Sequence, residues 1–280
     1  MALGIIGGSG LYGLHVEDAE WRDADTPWGP ASDALLHGRL GTTEIVFLPR
    51  HGRGHTLAPS EINYRANIAA LKAAGVTAIV SLSACGSFRD DLAPGSFVVI
   101  DQLVDRTRGR VTSFFGDGIV AHVSLADPFC ASLGDAIGAA APDCVRGGTY
   151  LAMAGPQFST RAESRLYRAA GLDVIGMTAA PEAALAREAE LCYATVAMVT
   201  DYDSWRSTGE AVDVAAILSV LGGNAARAAA LVAGVAAGWS YYACGSGCSH
   251  ALDHAVITER GKWPAATVER LQGVAGRVLR

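Results

Sequence analysis

The residues best suited to chemistry stand directly after short apolar runs. Arg50-His51-Gly52-Arg53-Gly54-His55 is the densest cationic stretch, and Ser83-Ala84-Cys85-Gly86 follows another apolar run. An arginine presents a planar pair of donors that matches phosphate, and glycines let the backbone approach a ligand closely. A solvated loop would also explain the charges, but the position after a strand favours an anion site.

A pair of carboxylates ends the last apolar run of this kind. Asp201-Tyr202-Asp203 follows Tyr193–Val199. Aspartates there could cap the element that comes next, or they could recognise a ligand that carries two adjacent donors. The motif alone does not decide between these two interpretations.

A glycine-rich loop follows the first apolar run. Gly8-x-Gly10-x-x-Gly13 matches the dinucleotide fingerprint by spacing, but residues 14–30 contain Pro27-Trp28-Gly29-Pro30 and do not form the helix that a dinucleotide site requires. The loop is better suited to a smaller anion, which would be held by backbone N–H groups and the Ser9 hydroxyl.

The C-terminal region contains a dense group of potential metal ligands. Cys244-x-x-x-Cys248-x-His250-x-x-x-His254 lacks the long spacer that separates the two ligand pairs of usual zinc sites. Structural zinc, a disulfide between the two cysteines and simple local packing remain open, with packing favoured. We expect no metal and no organic cofactor.

Strand and helix patterns alternate along most of the chain, which predicts an α/β fold with a mostly parallel or mixed sheet. Ligands bind such sheets beyond the carboxyl ends of the strands, where the polar residues above cluster. Strands are predicted at residues 3–6, 44–48, 77–83, 96–104, 149–153, 173–177 and 193–199. Helices are predicted from Ser60 to Gly75, over about 161–170, from Pro181 to near Glu190, and from Glu210 onward.

Composition narrows the classes of partner. The chain has 280 residues, half of them hydrophobic, and a formal net charge of −6, which disfavours nucleic-acid binding. Six cysteines are too few for a disulfide scaffold, and the N-terminus lacks the features of a signal peptide, so a cytoplasmic location is expected. The longest apolar run, Ala228 to Ala243, is interpreted as a buried helix followed by a loop, with no membrane contact.

Several segments, in order over about residues 4–218, resemble methylthioadenosine phosphorylases of the trimeric purine nucleoside phosphorylase superfamily. Ser9 and Ser83 stand where family members carry Thr, and the tail after about residue 235 is closer to cysteine-bearing prokaryotic members. The matching segments are residues 4–11, 49–56, 63–67, 83–87, 126–130, 155–164, 176–182 and 200–205.

The resemblance implies one domain over residues 1–280, with a divergent helical tail from about residue 235. It implies a mixed central sheet that is flanked by helices and partly closed into a barrel. It also implies a homotrimer or a dimer of trimers. His122 would reach the site of a neighbouring subunit, and the nearby Phe114-Phe115 and Pro128-Phe129 would suit an interface.

The resemblance also implies a role for each site residue. Asp201 and Asp203 would read the base and handle its proton, and Ser159 stands where the 6-oxopurine branch carries Glu. Phosphate would be held by Ser9, Arg50, His51, Ser83, Ala84 and Thr178. The nucleoside would contact Met177, Phe158, Ser159, Val214, Ile217 and His122.

These assignments imply a phosphate-dependent pentosyltransferase of purine and methionine salvage. It would convert methylthioadenosine, or another 5′-deoxy-5′-substituted adenosine, to adenine and a ribose 1-phosphate. A carboxylate accepts hydrogen bonds from the 6-amino group of adenine and repels a 6-carbonyl oxygen. The alternatives are a broader phosphorylase acting on adenosine or inosine, and a non-catalytic nucleoside-binding protein.

Overall fold

The computed structural model describes residues 2–8, 15–206 and 214–280. Its strands are β1 Ala2–Gly7, β2 Glu17–Arg22, β3 Asp25–Thr26, β4 Gly29–Pro30, β5 Leu35–Leu40, β6 Thr43–Pro49, β7 Val76–Ser87, β8 Phe97–Val99, β9 Gln102–Arg106, β10 Val145–Arg146, β11 Thr149–Met153, β12 Val174–Gly176 and β13 Cys192–Asp201. Its α-helices are α1 Tyr64–Ala73, α2 Ala131–Ala140, α3 Arg161–Ala169, α4 Ala179–Glu188, α5 Val214–Ala237 and α6 Ala265–Ala275.

Four parallel strands form the centre of the sheet. The order is β6, β1, β7, β13, and all four run the same way, so their carboxyl ends meet at one edge. β1 is buried along its whole length, as a continuous apolar run predicts for a central parallel strand. Antiparallel strands extend the sheet on both sides, with β5 and β2 beyond β6 and β8 beyond β13.

The sheet branches at β7 and does not close. β7 outlasts its pairing with β1, which ends at Ser81, and stays paired with β13 as far as Gly86. Its last residues, Gly86 and Ser87, also pair antiparallel with β12, which continues through β11 to β9. Among the described strands, β2, β9 and β10 each have one pairing partner, so they are edges. The expected partial closure into a barrel is therefore wrong, while the mixed α/β sheet with flanking helices is confirmed.

Most strands lie where the sequence predicts them, and two elements, one strand and one helix, differ from the prediction. The predicted strand at 96–104 is two strands, because the backbone leaves β8 after Val99 and begins a new ladder with β11 at Gln102. The helix expected from Ser60 begins later, at Tyr64, because Asn63 is its cap and accepts a bond from the Ala66 N–H at 3.2 Å.

α5 is the long apolar helix of the C-terminal half, and it begins 14 residues before the apolar run Ala228 to Ala243. Within the described ranges it alone is long and apolar enough to cross a membrane, by length and composition only. Its buried residues, Ala228, Leu231, Val232 and Val235 among them, belong to a cluster with β13 and α2. After α5 the chain forms short 3-10 turns and then α6, whose Leu271 packs in the cluster that holds Ile68 of α1.

Candidate active site

A cavity of about 530 Å³ lies at the carboxyl edge of the parallel strands. It is large enough for a nucleoside and a small anion, since ligand pockets usually measure about 300–1,000 Å³. Strand ends β6, β7, β12 and β13 supply most of its polar lining, and α5 closes one side. The lining includes Gly8, Arg50, His51, His55, Ser83, Ala84, Gly86, Met153, Phe158, Met177, Thr178, Thr200, Asp201, Asp203, Val214, Ile217, Leu218 and Leu221.

Arg50 is fully buried, and its charge is matched inside the protein. Its Nε and Nη2 donate to the two carboxylate oxygens of Glu182 at 2.8 and 3.0 Å, and Nη2 also donates to the Ser81 hydroxyl at 2.6 Å. Nη1 donates to the Leu82 carbonyl at 3.0 Å, which leaves one Nη1 hydrogen for a ligand within the described structure. The Glu182 carboxylate holds the pKa of the guanidinium above its usual value despite burial.

His51 is neutral in this environment. Its Nδ1 lies 2.9 Å from the Leu57 carbonyl oxygen, which can only accept, so Nδ1 carries the hydrogen and Nε2 is the acceptor of the neutral ring. The pKa of His51 is lowered to about 4, chiefly by burial and also by the Arg50 charge, while the Leu57 bond opposes both. Arg50, Glu182 and His51 together therefore present almost no net charge, and an anion here would be held by hydrogen bonds.

Hydroxyl groups supply further donors at this polar end. The Ser83 and Thr178 hydroxyl oxygens lie 3.4 Å apart, and Ser83 is also 3.1 Å from the Tyr150 hydroxyl. Thr178 precedes α4 at the cap position, but its hydroxyl makes no capping bond and stays available to the cavity. Ser83 and Ala84 lie in β7, where they pair with β13 just before β7 also begins to pair with β12 at Gly86.

The two carboxylates of Asp201 and Asp203 have different surroundings. Asp201 accepts at Oδ1 from the Asp203 N–H at 2.7 Å, and the Thr200 hydroxyl lies 2.7 Å from its Oδ2, so its orientation is fixed. Oδ2 of Asp203 is buried and has no hydrogen-bond partner among the described residues. Burial raises the pKa of Asp203, the Asp201 charge adds to this, and the Ser164 and Ser159 hydroxyls oppose it.

Gly86 makes this carboxylate arrangement possible. A Cβ at Gly86 would lie 2.9 Å from Asp201 Oδ1, which is closer than real Cβ contacts, and 3.1 Å from the Asp203 Cβ, which is tighter than most. Any side chain at this position would therefore displace the two aspartates, so glycine allows β7 to approach the turn after β13. The Ser-Ala-Cys-Gly segment thus contributes Ser83 to the hydroxyl cluster and Gly86 to the end of the cavity that holds the two carboxylates.

The other side of the cavity is apolar. Val214, Ile217, Leu218 and Leu221 recur at helical spacing on one face of α5 and line the cavity together. Val214 and Leu218 remain more than half exposed, at 56% and 57%. Arg110 fixes the backbone at Met177. It donates to the Met177 carbonyl oxygen at 2.5 Å and to the Ala180 carbonyl at 2.7 Å.

Of the residues that the sequence predicted for the site, eleven line this one cavity: Arg50, His51, Ser83, Ala84, Phe158, Met177, Thr178, Asp201, Asp203, Val214 and Ile217. Ser9 lies outside the described residues. Ser159 is buried beside the cavity, and its hydroxyl lies 3.8 Å from the Met153 sulfur. His122 is exposed on the surface and does not line the cavity of its own chain.

Two aromatic residues of the apolar stretch expected to suit an interface near His122 are buried in their own chain. Phe114 and Phe129 are 1% and 5% exposed and belong to the hydrophobic core. The exposed apolar side chains near His122 are instead Val120 and Leu125, at 43% and 42%. The aromatic residues were misassigned because sequence alone does not show which side of a loop faces the core.

Sequence reasoning gave no role to Glu182 or to Leu218 and Leu221. Glu182 is a lone carboxylate in the apolar segment Ala179-Ala180-Pro181-Glu182-Ala183, and a charge buried there requires a cation beside it. Leu218 and Leu221 stand four and seven residues after Val214, so the same helical face that predicted Ile217 also predicts them.

Comparisons with known proteins agree with this geometry. The family described as the phosphorylase superfamily matches residues 2–237. The chain belongs to the phosphorylase superfamily. The resemblance seen in the sequence, and with it the expectation of an enzyme of the phosphorylase class, is confirmed.

Over nearly its full length, this chain is similar to proteins described as methylthioadenosine phosphorylases. It is 54% identical to an S-methyl-5′-thioadenosine phosphorylase of Cereibacter sphaeroides, over 99% of this chain and 98% of the relative. A crystal structure of a methylthioadenosine phosphorylase from an antarctic soil metagenomic library superposes with a TM-score of 0.92 at 43% identity, covering 97% and 98% of the two chains. A variant of adenosine/methylthioadenosine phosphorylase from Schistosoma mansoni, in complex with methylthioadenosine, gives 0.81 at 38% identity, covering 86% and 92%.

Proposed function

We propose that this phosphorylase uses inorganic phosphate to cleave 5′-methylthioadenosine, or another 5′-deoxy-5′-substituted adenosine, to adenine and the 5-substituted ribose 1-phosphate. The observation that carries the proposal is the division of one cavity into three parts. A hydroxyl and N–H cluster lies at one end, two carboxylates lie beside it, and an apolar helix face lines the rest. Phosphate, purine and an apolar 5′ group match these parts, and the full-length relatives support the same activity in purine and methionine salvage.

The polar end would position phosphate for attack on the ribose. Breaking the C1′–N9 bond leaves positive charge on the ribose and sends the bond's electron pair to the purine. A phosphate oxygen then forms the new bond to C1′. Ser83, Thr178 and the remaining Arg50 N–H would hold the anion in place without full water solvation, which lowers the cost of reaching the transition state.

The carboxylates would recognise adenine and manage the proton at N7. The purine leaves more readily when N7 is protonated. Asp203 has the raised pKa and the unpartnered Oδ2, so it is suited to carry or share that proton. Asp201 is held in place by the Asp203 N–H and the Thr200 hydroxyl, so it is suited to accept from N7–H or the 6-amino group.

A broader phosphorylase that acts equally on adenosine is the second candidate. The Schistosoma relative, described as an adenosine/methylthioadenosine phosphorylase, is the observation in its favour. The α5 face argues for the 5′-substituted substrate, because Val214, Ile217, Leu218 and Leu221 offer no hydrogen bond to a 5′ hydroxyl. A purely nucleoside-binding protein would have no use for the donor cluster.

We also propose an oligomeric assembly, a cytoplasmic location and a reaction without a cofactor. A homotrimer or a dimer of trimers would cover the exposed rim formed by Val214 and Leu218, and His122 of one chain would approach the site of its neighbour. We place the enzyme in the cytoplasm, acting on small molecules without nucleic acid or membrane. The reaction as written needs no metal or organic cofactor at the cavity.

A substrate panel tests the function. Methylthioadenosine, adenosine, inosine and other 5′-substituted adenosines would be incubated with the enzyme, and release of free base would be followed with phosphate, with arsenate and with neither. We expect fast release of adenine from methylthioadenosine, only with phosphate or arsenate. Equal kcat/KM for adenosine would favour the broader enzyme, and binding without base release would favour the non-catalytic alternative.

A further inference from the structure

Four cysteines from three distant parts of the chain converge at one point. Their sulfur atoms all lie within 4.8 Å of one another, and the Cys130 and Cys244 sulfurs are 3.8 Å apart. Cys130, Cys192 and Cys248 are buried and Cys244 is partly buried. From these positions we propose that Cys130, Cys192, Cys244 and Cys248 bind one zinc ion as a structural tetrathiolate site.

The distances fit that ion. Zinc binds four thiolates in a tetrahedron with Zn–S bonds of about 2.3 Å, which places neighbouring sulfurs roughly 3.8 Å apart. Soft thiolate ligands select zinc over the harder cations magnesium and calcium. Four sulfurs that are mutually close satisfy a tetrahedral ion, whereas a disulfide uses sulfurs in pairs and does not require all four to meet.

The surroundings suit a cluster that carries negative charge. Four thiolates around Zn²⁺ leave a net charge of −2, which needs nearby donors. The Leu133 N–H donates to the Cys130 sulfur at 3.4 Å, and Arg187 Nη1 lies 3.9 Å from the Cys248 sulfur.

Three elements deliver the ligands. Cys130 is the residue that caps α2, and Cys192 is the first residue of β13. Cys244 and Cys248 lie on either side of a turn in which Gly247 has a φ of 69°, a left-handed conformation that favours glycine. The turn lets both sulfurs of Cys244-x-x-x-Cys248 face the same point.

The two histidines of the sequence motif are not ligands. His250 and His254 are exposed, and the His250 Nδ1 lies 3.4 Å from an Asp253 carboxylate oxygen. On this proposal Cys244 and Cys248 of the sequence motif are ligands, although the sequence alone favoured local packing and no metal. Cys130 and Cys192 could not be paired with them from spacing, because they lie more than fifty residues away in the chain.

The site would stabilise the fold and take no part in the reaction. Cys192 begins β13 and Asp201 ends it, so the cluster and the Asp201 carboxylate are about 30 Å apart along the strand. The ion would tie the segment that follows α5 to α2 and to the central strand. This inference does not depend on the substrate, and it is compatible with metal-free chemistry at the cavity.

Metal content of the purified full-length protein tests the proposal. Elemental analysis should give about one zinc per chain, and X-ray absorption at the zinc edge should give four sulfur neighbours near 2.3 Å. Cys248→Ser should lose most of the zinc, while Cys144→Ser, a buried cysteine outside the cluster, should retain it. Removing zinc from the unmodified protein should lower its Tm by roughly 10 °C or more.

A second measurement keeps the test decisive if a variant fails to fold. Unmodified protein, unfolded without reductant, should release zinc to a chromogenic chelator and should then show six reactive thiols. Zinc-free protein that has lost four hydrogens by mass spectrometry would overturn the proposal in favour of two disulfides. Zinc-free protein with six free thiols would overturn it in favour of packing, and iron in place of zinc would overturn the assignment to zinc.

Discussion

At the scale of single residues, the cavity has hydrogen-bond donors at one end and carboxylates at the other. The Arg50 charge is already matched by Glu182, and His51 is neutral, so on the proposed function an anion would be held by oriented donors. The end proposed to bind the base has two carboxylates, and burial raises the pKa of one of them, Asp203.

Asp203→Asn tests the base end. The amide keeps the shape but cannot supply a proton to N7 and can donate to a 6-carbonyl. We expect kcat/KM for methylthioadenosine to fall about 100-fold, the scale of losing one transition-state hydrogen bond, and the inosine-to-adenosine ratio to rise. Asp135→Asn, at an exposed carboxylate paired with Arg146, is the matched control and should be unchanged. Full activity with an unaltered ratio in Asp203→Asn would place base recognition elsewhere.

His51 gives a prediction about stability and pH. The pKa of His51 is about 4 in the folded protein and 6.5 in the unfolded chain. Below pH 6.5 the unfolded chain therefore gains a proton that the folded chain does not. Folding stability therefore falls between pH 6.5 and 4, by at most about 3 kcal/mol from this residue.

Chemical denaturation in phosphate-free buffer would measure this loss. His51→Gln should show a smaller loss of stability across that pH range than the unmodified protein. His122→Gln, at an exposed histidine, should keep the full loss. Identical pH dependence in all three proteins would mean that His51 is protonated as readily as an exposed histidine.

At the scale of elements, strand ends and one helix face divide the site between them. Parallel strands β6, β7 and β13 bring Arg50, Ser83 and Asp201 to one edge, although they are far apart in sequence. α5 adds the apolar face opposite. On the proposed function, the element that would set the preference for the 5′ group is therefore separate from the elements that would carry the chemistry.

Val214→Gln tests the role of α5. A polar side chain there should remove most of the preference for methylthioadenosine over adenosine, a preference that burial of the methylthio group puts at roughly 10- to 200-fold in kcat/KM. Affinity for phosphate should stay the same, because the donor cluster is at the other end of the cavity. Ala226→Gln, at an exposed position of α5 outside the cavity, should behave as the unmodified enzyme does. An unaltered preference in Val214→Gln would contradict the assigned pocket.

Particular residues show which features of the fold and the site could be predicted from the sequence. Arg50, Ser83, Thr178 and Asp201 were predictable because each follows a recognisable strand, and parallel strands end together. The Glu182 partnership with Arg50 was not, because it joins residues 132 apart through burial that no motif marks. Barrel closure was mispredicted because the bend of β7 toward β12 depends on local geometry at Gly86 and Ser87.

At the scale of the whole molecule, one chain leaves apolar surface at two places that the proposed assembly would cover. Val214 and Leu218 form the exposed rim of the cavity, and Val120 and Leu125 flank His122. A neighbouring chain that buried both would complete the apolar pocket and bring His122 to the site.

Leu125→Glu tests that arrangement. A charge at the centre of a buried contact is costly, so we expect the variant to shift toward monomers in light scattering and to lose kcat/KM for methylthioadenosine. Leu166→Glu, on α3 at an apolar residue that is more exposed than Leu125, should remain a trimer or a multiple of it. A fully active monomer of the unmodified chain would rule out shared sites.

The fate of phosphate tests the central claim most directly. Methylthioadenosine and inorganic phosphate would be incubated with the enzyme, and the products would be followed by phosphorus NMR together with chromatography of the base. A cavity that holds phosphate beside the nucleoside predicts one 5-methylthioribose 1-phosphate for every adenine released, and no turnover without phosphate. Adenine accompanied by free methylthioribose, at a rate independent of phosphate, would contradict the account.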